Sequence, residues 1–75
     1  QSSIQVFPTL FDHTIYVLSA QSRPEKFSIY NAIGIPVYSG ILEKSGMRIA
    51  VSDLSVGVYF LKMENSSQVI RLQKR

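Results

Sequence analysis

The stretch Leu54-Ser55-Val56-Gly57-Val58-Tyr59-Phe60-Leu61 has the pattern of a tight turn that leads into an aromatic-rich strand. Gly57 allows a sharp turn and a close backbone approach, because glycine has no Cβ. Tyr59 falls on the same face of the strand as Leu61, since successive side chains alternate between faces. We therefore predict a corner in which Leu54 plugs one end of a β-structure and Tyr59 lies beneath it.

Similar short β-branched and aromatic runs recur along the whole chain, and no long segment shows a helical spacing of apolar residues. Their spacing of roughly 8–12 residues is typical of an all-β sandwich or barrel. Each run has one apolar and one polar face, as two packed antiparallel sheets require. The predicted strands are Ile4–Phe7, Thr14–Leu18, Lys26–Tyr30, Pro36–Leu42, Arg48–Val51, Val58–Met63 and Gln68–Leu72.

The alternation assigns the inner face of each of the better-defined strands. The residues predicted to point inward are Phe27, Ile29, Ile49, Val51, Tyr59, Leu61, Met63, Ile70 and Leu72.

Turn residues separate these strands. Gly34 is suited to a backbone φ above zero, which a side chain would penalise. Pro36 can begin the next strand or lie on a sheet edge, because proline donates no hydrogen bond to the ladder. The predicted hairpin turns are Asn31-Ala32-Ile33-Gly34, Ser45-Gly46 and Asn65-Ser66-Ser67.

Length and composition restrict the class of protein. The 75 residues allow one domain, residues 1–75, and the absence of an initiator Met predicts a piece of a longer polypeptide. There is no Cys and only one His, so neither a disulfide nor a metal site is predicted, and no cofactor is implied. No apolar run is long enough for a membrane-spanning helix.

Catalytic groups do not cluster in the sequence. The single histidine, His13, lies in the polar turn Phe11-Asp12-His13-Thr14 and is predicted to be a surface loop residue. No serine or threonine has a base placed to activate it, and the five acids are scattered through turns and strand ends. We therefore predict a non-enzymatic domain.

The chain ends in a basic segment. Arg71, Lys74 and Arg75 are three of its eight basic residues, and the formal net charge is +3. Such a tail attracts an acidic surface, an anionic glycan or nucleic acid, although a solvated terminus is the simpler interpretation. The four Phe and four Tyr residues suit strand packing. Tyr16 and Phe60, on predicted outer faces, could also stack on a sugar.

The order of these segments resembles the type A C-terminal sorting domain carried by cargo of the type IX (Por) secretion system of Bacteroidetes. The resemblance covers the chain from about Val6 to Arg75. Its Gly-x-Tyr element is intact as Gly57-Val58-Tyr59. The quoted segments are Phe7-Pro8, Phe27-Ser28-Ile29-Tyr30-Asn31-Ala32-Ile33-Gly34-Ile35-Pro36-Val37, Asp53-Leu54-Ser55-Val56-Gly57-Val58-Tyr59-Phe60-Leu61 and the closing basic strand.

Other positions follow the family pattern in part. Pro8 keeps the first proline of a Pro-Asn-Pro turn, and Asn31 stands where the family usually has Asp, with Gly34 retained. Lysines usually mark both ends of the closing strand. Here Gln68 and Arg71 replace the beginning of that pattern, while Lys74 and Arg75 keep its end.

The resemblance implies a seven-stranded immunoglobulin-like antiparallel β-sandwich that acts as an address. It implies transit through the periplasm, recognition by an outer-membrane translocon, cleavage by a sortase-like surface enzyme and attachment of the passenger to anionic lipopolysaccharide at the cell surface. We predict that Pro8 and Gly34 set turn geometry and that the signal is read at the last two strands. Its recognition residues are then Gly57, Tyr59, Arg71, Lys74 and Arg75.

Two other functions stay open at this point. A retained module could bind an anionic glycan or lipopolysaccharide through Tyr16, Phe60 and the basic residues, or the sandwich could shield the catalytic domain of a larger enzyme. No nucleic-acid partner is assigned. An isolated domain of this size is open to dimerisation through its edge strands.

Overall fold

The chain folds as two β-sheets around one apolar core. The computed structural model describes residues 4–19, 24–43, 46–64 and 67–75, and the regular structure in these ranges is all strand. The strands are β1 (Ile4–Phe7), β2 (Leu10–Phe11), β3 (Thr14–Ser19), β4 (Glu25–Asn31), β5 (Pro36–Leu42), β6 (Gly46–Ala50), β7 (Gly57–Met63) and β8 (Val69–Lys74).

The strands form a sandwich-like pair of sheets. The smaller sheet has the order β1-β3-β6 and the larger one the order β2-β8-β7-β4-β5. Every pairing is antiparallel except that of β2 with β8, which is parallel. The predicted all-β class is confirmed. No helix in the described ranges is long and apolar enough to cross a membrane.

The prediction of seven antiparallel strands is wrong in one respect, because β2 is an eighth strand and pairs in parallel. It contains only two residues, so no alternation of polar and apolar positions can reveal it. Phe11, which the sequence places in a polar turn, is 1% exposed and belongs to the core. Its neighbour Leu10 points the other way and is 44% exposed.

The assignment of inner faces is confirmed. Phe27, Ile29, Tyr59, Leu61 and Met63 are all buried in the core cluster. From the remaining strands, Ile49, Val51 and Leu72 are buried in the same cluster, while Ile70 packs against it half-buried. Alternation worked here because each of these strands covers the core with one face only.

The predicted hairpin at Ser45-Gly46 is wrong. β5 belongs to the larger sheet, whereas β6 pairs with β3 in the smaller one. The chain therefore crosses between sheets after Leu42, and a turn signal alone does not distinguish such a crossing from a hairpin. Ser45 itself lies outside the described residues.

The other two predicted hairpins pair as expected. Between β4 and β5, Gly34 adopts a φ of 90°. The Asn31 side-chain oxygen accepts hydrogen bonds from the backbone N–H groups of Ile33 (3.1 Å) and Ile35 (2.9 Å), which closes this turn. Strands β7 and β8 pair antiparallel from Gly57 opposite Lys74 to Lys62 opposite Val69. Asn65 and Ser66 of their turn lie outside the described residues.

Candidate functional site: the C-terminal hairpin and the sheet faces around it

Gly57 begins β7 with a backbone φ of 155°, which residues other than glycine rarely adopt. A Cβ placed on this residue would meet no atom within 4 Å. The predicted close backbone approach at Gly57 is therefore wrong, and the backbone torsion is what favours glycine there.

Tyr59 anchors the corner before β7 with a hydrogen bond. Its ring is buried, and its hydroxyl donates to the backbone carbonyl oxygen of Ser55 at 2.6 Å. Leu54 packs half-buried against the core, as predicted. The predicted inward position of the Tyr59 ring is confirmed, whereas the hydrogen bond was not predicted. The signal for it was a tyrosine two residues after the glycine of a polar turn.

Replacing Tyr59 by Phe should remove this hydrogen bond and keep the ring. We expect a loss of about 1 kcal/mol in the free energy of unfolding, or a fall in Tm of about 4–8 °C for a domain of this size. Thermal unfolding followed by circular dichroism measures it. Tyr16→Phe is the matched control, because the exposed Tyr16 hydroxyl forms no hydrogen bond within the described residues. Equal Tm values for the two variants would contradict the role of the Tyr59 hydroxyl.

Strand β8 lies inside the larger sheet and is not one of its edges. β7 pairs along one side of it, and β2 pairs with Gln73 and Lys74 on the other. The backbone N–H of Gln73 donates to the Thr9 carbonyl at 2.7 Å, and that of Arg75 donates to the Phe11 carbonyl at 2.9 Å. The C-terminal residues are therefore part of the fold.

The three cations of the tail do not form one patch. Arg71 is exposed on the outer face. Lys74 is only 8% exposed, and its ammonium donates to the Arg75 carbonyl at 3.3 Å. The guanidinium of Arg75 pairs with the Asp12 carboxylate at 3.0 Å. The expectation that Lys74 presents its charge to a partner is thus corrected: by strand alternation Lys74 follows Leu72 onto the inner side.

The outer face of the larger sheet brings Arg71 next to other polar and aromatic residues. Arg71 is the cross-strand neighbour of Phe60, and Phe60 is the neighbour of Tyr30. In the adjacent row Lys62 lies opposite Ser28. A depression of about 640 Å³ opens on β4, β5 and β7. Its lining includes Lys26, Ser28, Tyr30, Ser39, Ile41, Lys62 and Glu64.

The outer face of the smaller sheet carries a second group. The rings of Phe7 and Tyr16 stack with their centroids 5.6 Å apart and are 45% and 41% exposed. Arg48 lies opposite Tyr16 in the neighbouring strand. Tyr16 is therefore exposed as predicted. Phe60 is half-buried and belongs to the other sheet, so one compact ligand cannot contact both aromatic residues.

The remaining predicted residues lie in connecting segments. Pro8 follows a cis peptide bond with Phe7 and lies where the chain passes from β1 in one sheet to β2 in the other. His13 is exposed, as predicted, and its carbonyl accepts a hydrogen bond from the Val51 N–H at 2.8 Å. Within the described residues, no three potential metal-ligating side chains come together.

The fold is similar to part of a known enzyme structure. A crystal structure of a single-mutant thermostable endoglucanase from Alicyclobacillus acidocaldarius superposes with a TM-score of 0.64 and 17% sequence identity. The match covers 97% of this chain but 15% of that one, so it supports the β-sandwich fold alone. No curated protein matches the chain.

The class that fold and sequence define together is a non-catalytic sorting domain. The family model of the secretion system C-terminal sorting domain, the Por secretion tail, matches residues 5–74. The chain belongs to this family, the C-terminal sorting domains of the type IX secretion system. Such a domain is a secretion signal that directs export toward the cell surface and interacts with the secretion machinery.

Proposed function

We propose that this domain directs an attached passenger through the periplasm and the outer-membrane translocon of the type IX system. The passenger is then cut from the domain by the sortase-like surface machinery and joined to anionic lipopolysaccharide. The observation that carries the proposal is the family match over residues 5–74, which includes the whole β7–β8 hairpin. The type A subclass and a Bacteroidetes source belong to the same proposal.

We class the sandwich as immunoglobulin-like within this proposal. Two facing sheets and the hydrogen bond from Tyr59 to the Ser55 carbonyl support this class, because many such sandwiches have a tyrosine that closes the corner before its strand. Gly57 and Tyr59 then act by holding the hairpin in a recognisable shape. Gly34 and Pro8 likewise set the shape of two other connections, between β4 and β5 and between β1 and β2.

The test is a fusion in a bacterium that has this secretion system. A neutral reporter with an export signal would carry residues 1–75 at its C-terminus, and the control reporter would carry the export signal alone. We expect that only the fusion reaches the cell surface. Cleavage should shorten it by about the mass of the domain, and the attached glycolipid should raise the apparent mass of the released reporter. The same fusion in a strain without the translocon should stay in the periplasm. Periplasmic retention in both strains would contradict the proposal.

A second candidate function is a retained module that binds an anionic glycan or lipopolysaccharide. The stacked and exposed pair Phe7 and Tyr16, with Arg48 opposite Tyr16, supports it, because aromatic faces stack on sugars and arginine pairs with acidic groups. Fate of the domain separates the two functions. A sorting signal is lost from the mature surface protein, whereas a binding module stays attached.

A further inference from the structure

The outer face of the five-stranded sheet is basic. Lys26, Lys62 and Arg71 are exposed there on three neighbouring strands. The one acid within these five strands, Glu25, is buried on the inner side. Glu64, directly after β7, is the acid that lines the depression. Since Lys74 is buried and Arg75 is paired, the accessible positive charge near the C-terminus is concentrated on this face.

The two lysines of the depression flank a pair of hydroxyl groups. Lys62 lies opposite Ser28, and Lys26 precedes Ser28 by two residues on the same face of β4. The Ser28 and Ser39 hydroxyl oxygens are 3.1 Å apart. Lys26 and Lys62 occupy diagonal positions on adjacent strands, close enough for two long side chains to reach one ligand. A carboxylate placed between them would pair with the ammonium groups and accept a hydrogen bond from a hydroxyl.

Neither lysine is neutralised within the described part of the chain. The ion pair found there joins Arg75 to Asp12, and Lys26 forms none with Glu64, although the Glu64 N–H donates to the Lys26 carbonyl at 2.8 Å. Glu64 lies at one end of the depression, where it would repel an incoming acid. It therefore directs a ligand carboxylate toward Lys62 and the two serines.

The depression borders a sheet edge that pairs with no other strand of the described residues. β5 pairs with β4 on one side, ends the sheet order, and has no charged residue between Pro36 and Leu42. Natural sheet edges usually carry charges that block pairing. An extended polypeptide can add its backbone to such an edge. Val37 and Ile41 are exposed on the strand and provide apolar contacts. An edge with these properties favours a polypeptide ligand over a saccharide.

We propose that this depression and the adjoining edge of β5 are the docking site for an extended acidic segment of a protein of the secretion machinery. The proposal rests on the sorting function proposed above. In it, the basic face of the larger sheet, and not the chain end, presents the positive charge that the secretion machinery recognises. Lys62 and Lys26 bind carboxylates of the segment, the Ser28–Ser39 hydroxyl pair donates a hydrogen bond, and β5 pairs with its backbone.

The direct test titrates the 75-residue chain with a ten-residue Asp- and Glu-rich peptide, followed by backbone NMR. We expect salt-sensitive shifts at Lys26, Ser28, Ser39 and Lys62. Combined Lys26→Gln and Lys62→Gln should weaken binding by about tenfold, since each exposed ion pair contributes modestly. Glu64→Gln should strengthen it. Combined Gln5→Glu and Ala50→Glu, at exposed positions of the smaller sheet, lowers the net charge by the same two units and is the matched control, which should change binding less. Unchanged Tm values establish that the variants are folded.

The same variants in the reporter fusion separate the two proposals. Loss of surface delivery for the double lysine variant, with delivery retained for the Gln5→Glu and Ala50→Glu control, supports the docking site. Delivery of the double variant together with unchanged peptide binding would overturn the site and leave the sorting function standing. If the unmodified fusion is not delivered, the sorting function fails, and the titration still decides whether the site exists.

Two other occupants would overturn the assignment to an acidic polypeptide. Shifts at the same residues with an acidic oligosaccharide, and none with the peptide, would identify a saccharide site. Concentration-dependent dimerisation that protects the amides of β5, measured by sedimentation and hydrogen exchange, would identify a second copy of the chain as the partner of this edge.

Discussion

A chain that ends at Ile70 is expected to lose its fold as well as its export. The truncation removes Leu72, which is 1% exposed in the core, and the four pairings of residues 71–74 with β7. It also leaves β2 without its partner strand. Loss of one buried leucine side chain costs about 2–5 kcal/mol. Since small domains are stable by about 5–15 kcal/mol, the combined loss removes most of the stability.

Circular dichroism and amide exchange of the isolated chains measure this effect. The matched control ends at Lys74. It keeps all of β8 and gives up the Arg75 ion pair, the Arg75 backbone hydrogen bond and the hydrogen bond from the Lys74 ammonium to the Arg75 carbonyl. We expect that control to lose about 1–2 kcal/mol and to stay folded. A chain ending at Ile70 that unfolds with the Tm of the full chain would contradict the position of β8 between β2 and β7.

Export of the two truncations then tests recognition through the last two strands. The passenger fused to the chain ending at Ile70 should stay in the periplasm, and the one ending at Lys74 should reach the surface. Delivery of both would contradict recognition through the last two strands. Retention of both would indicate that the final residue itself is read.

Phe11→Ala should destabilise the domain nearly as much as replacing a large core side chain by Ala in the centre of either sheet. The Phe11 side chain is 1% exposed, and its carbonyl accepts the Arg75 hydrogen bond that ties β2 to β8. We expect a loss of about 3–5 kcal/mol in the free energy of unfolding, because a large cavity is left in the core. Chemical denaturation at constant temperature measures it.

Leu10→Ala is the control for Phe11→Ala, since Leu10 is 44% exposed on the opposite side of the same strand. We expect a change of no more than about 0.5 kcal/mol. A small effect of Phe11→Ala, comparable with that of Leu10→Ala, would show that β2 does not contribute to the core.

Local sequence was sufficient to predict the buried residues wherever a strand covers the core with one face. In β7, Tyr59, Leu61 and Met63 alternate with Phe60 and Lys62, so the buried face follows from spacing alone. The same alternation would have placed Lys74 inward, had it been continued beyond Leu72. The turn at Gly34 was also predictable, because a short polar sequence closes it without distant contacts.

Distant contacts decided the rest. Strand β2 forms because its two residues pair with Gln73 and Lys74 from the other end of the chain. A strand of two residues is too short to show an alternation of polar and apolar positions. The Ser45-Gly46 signal fits a hairpin as well as a sheet crossing, and only the pairing of β6 with β3 separates them. The basic depression likewise depends on the register that places Lys62 opposite Ser28.

The sequence by itself determined the β class, most strands, their buried faces and the family of this protein. These properties rest on side-chain alternation and on turn residues, which act over a few positions. The tertiary structure alone decided which strands are neighbours, which cations are accessible, and that the C-terminus is held inside a sheet. Strand pairing joins residues far apart in the chain, and no local pattern specifies the partner.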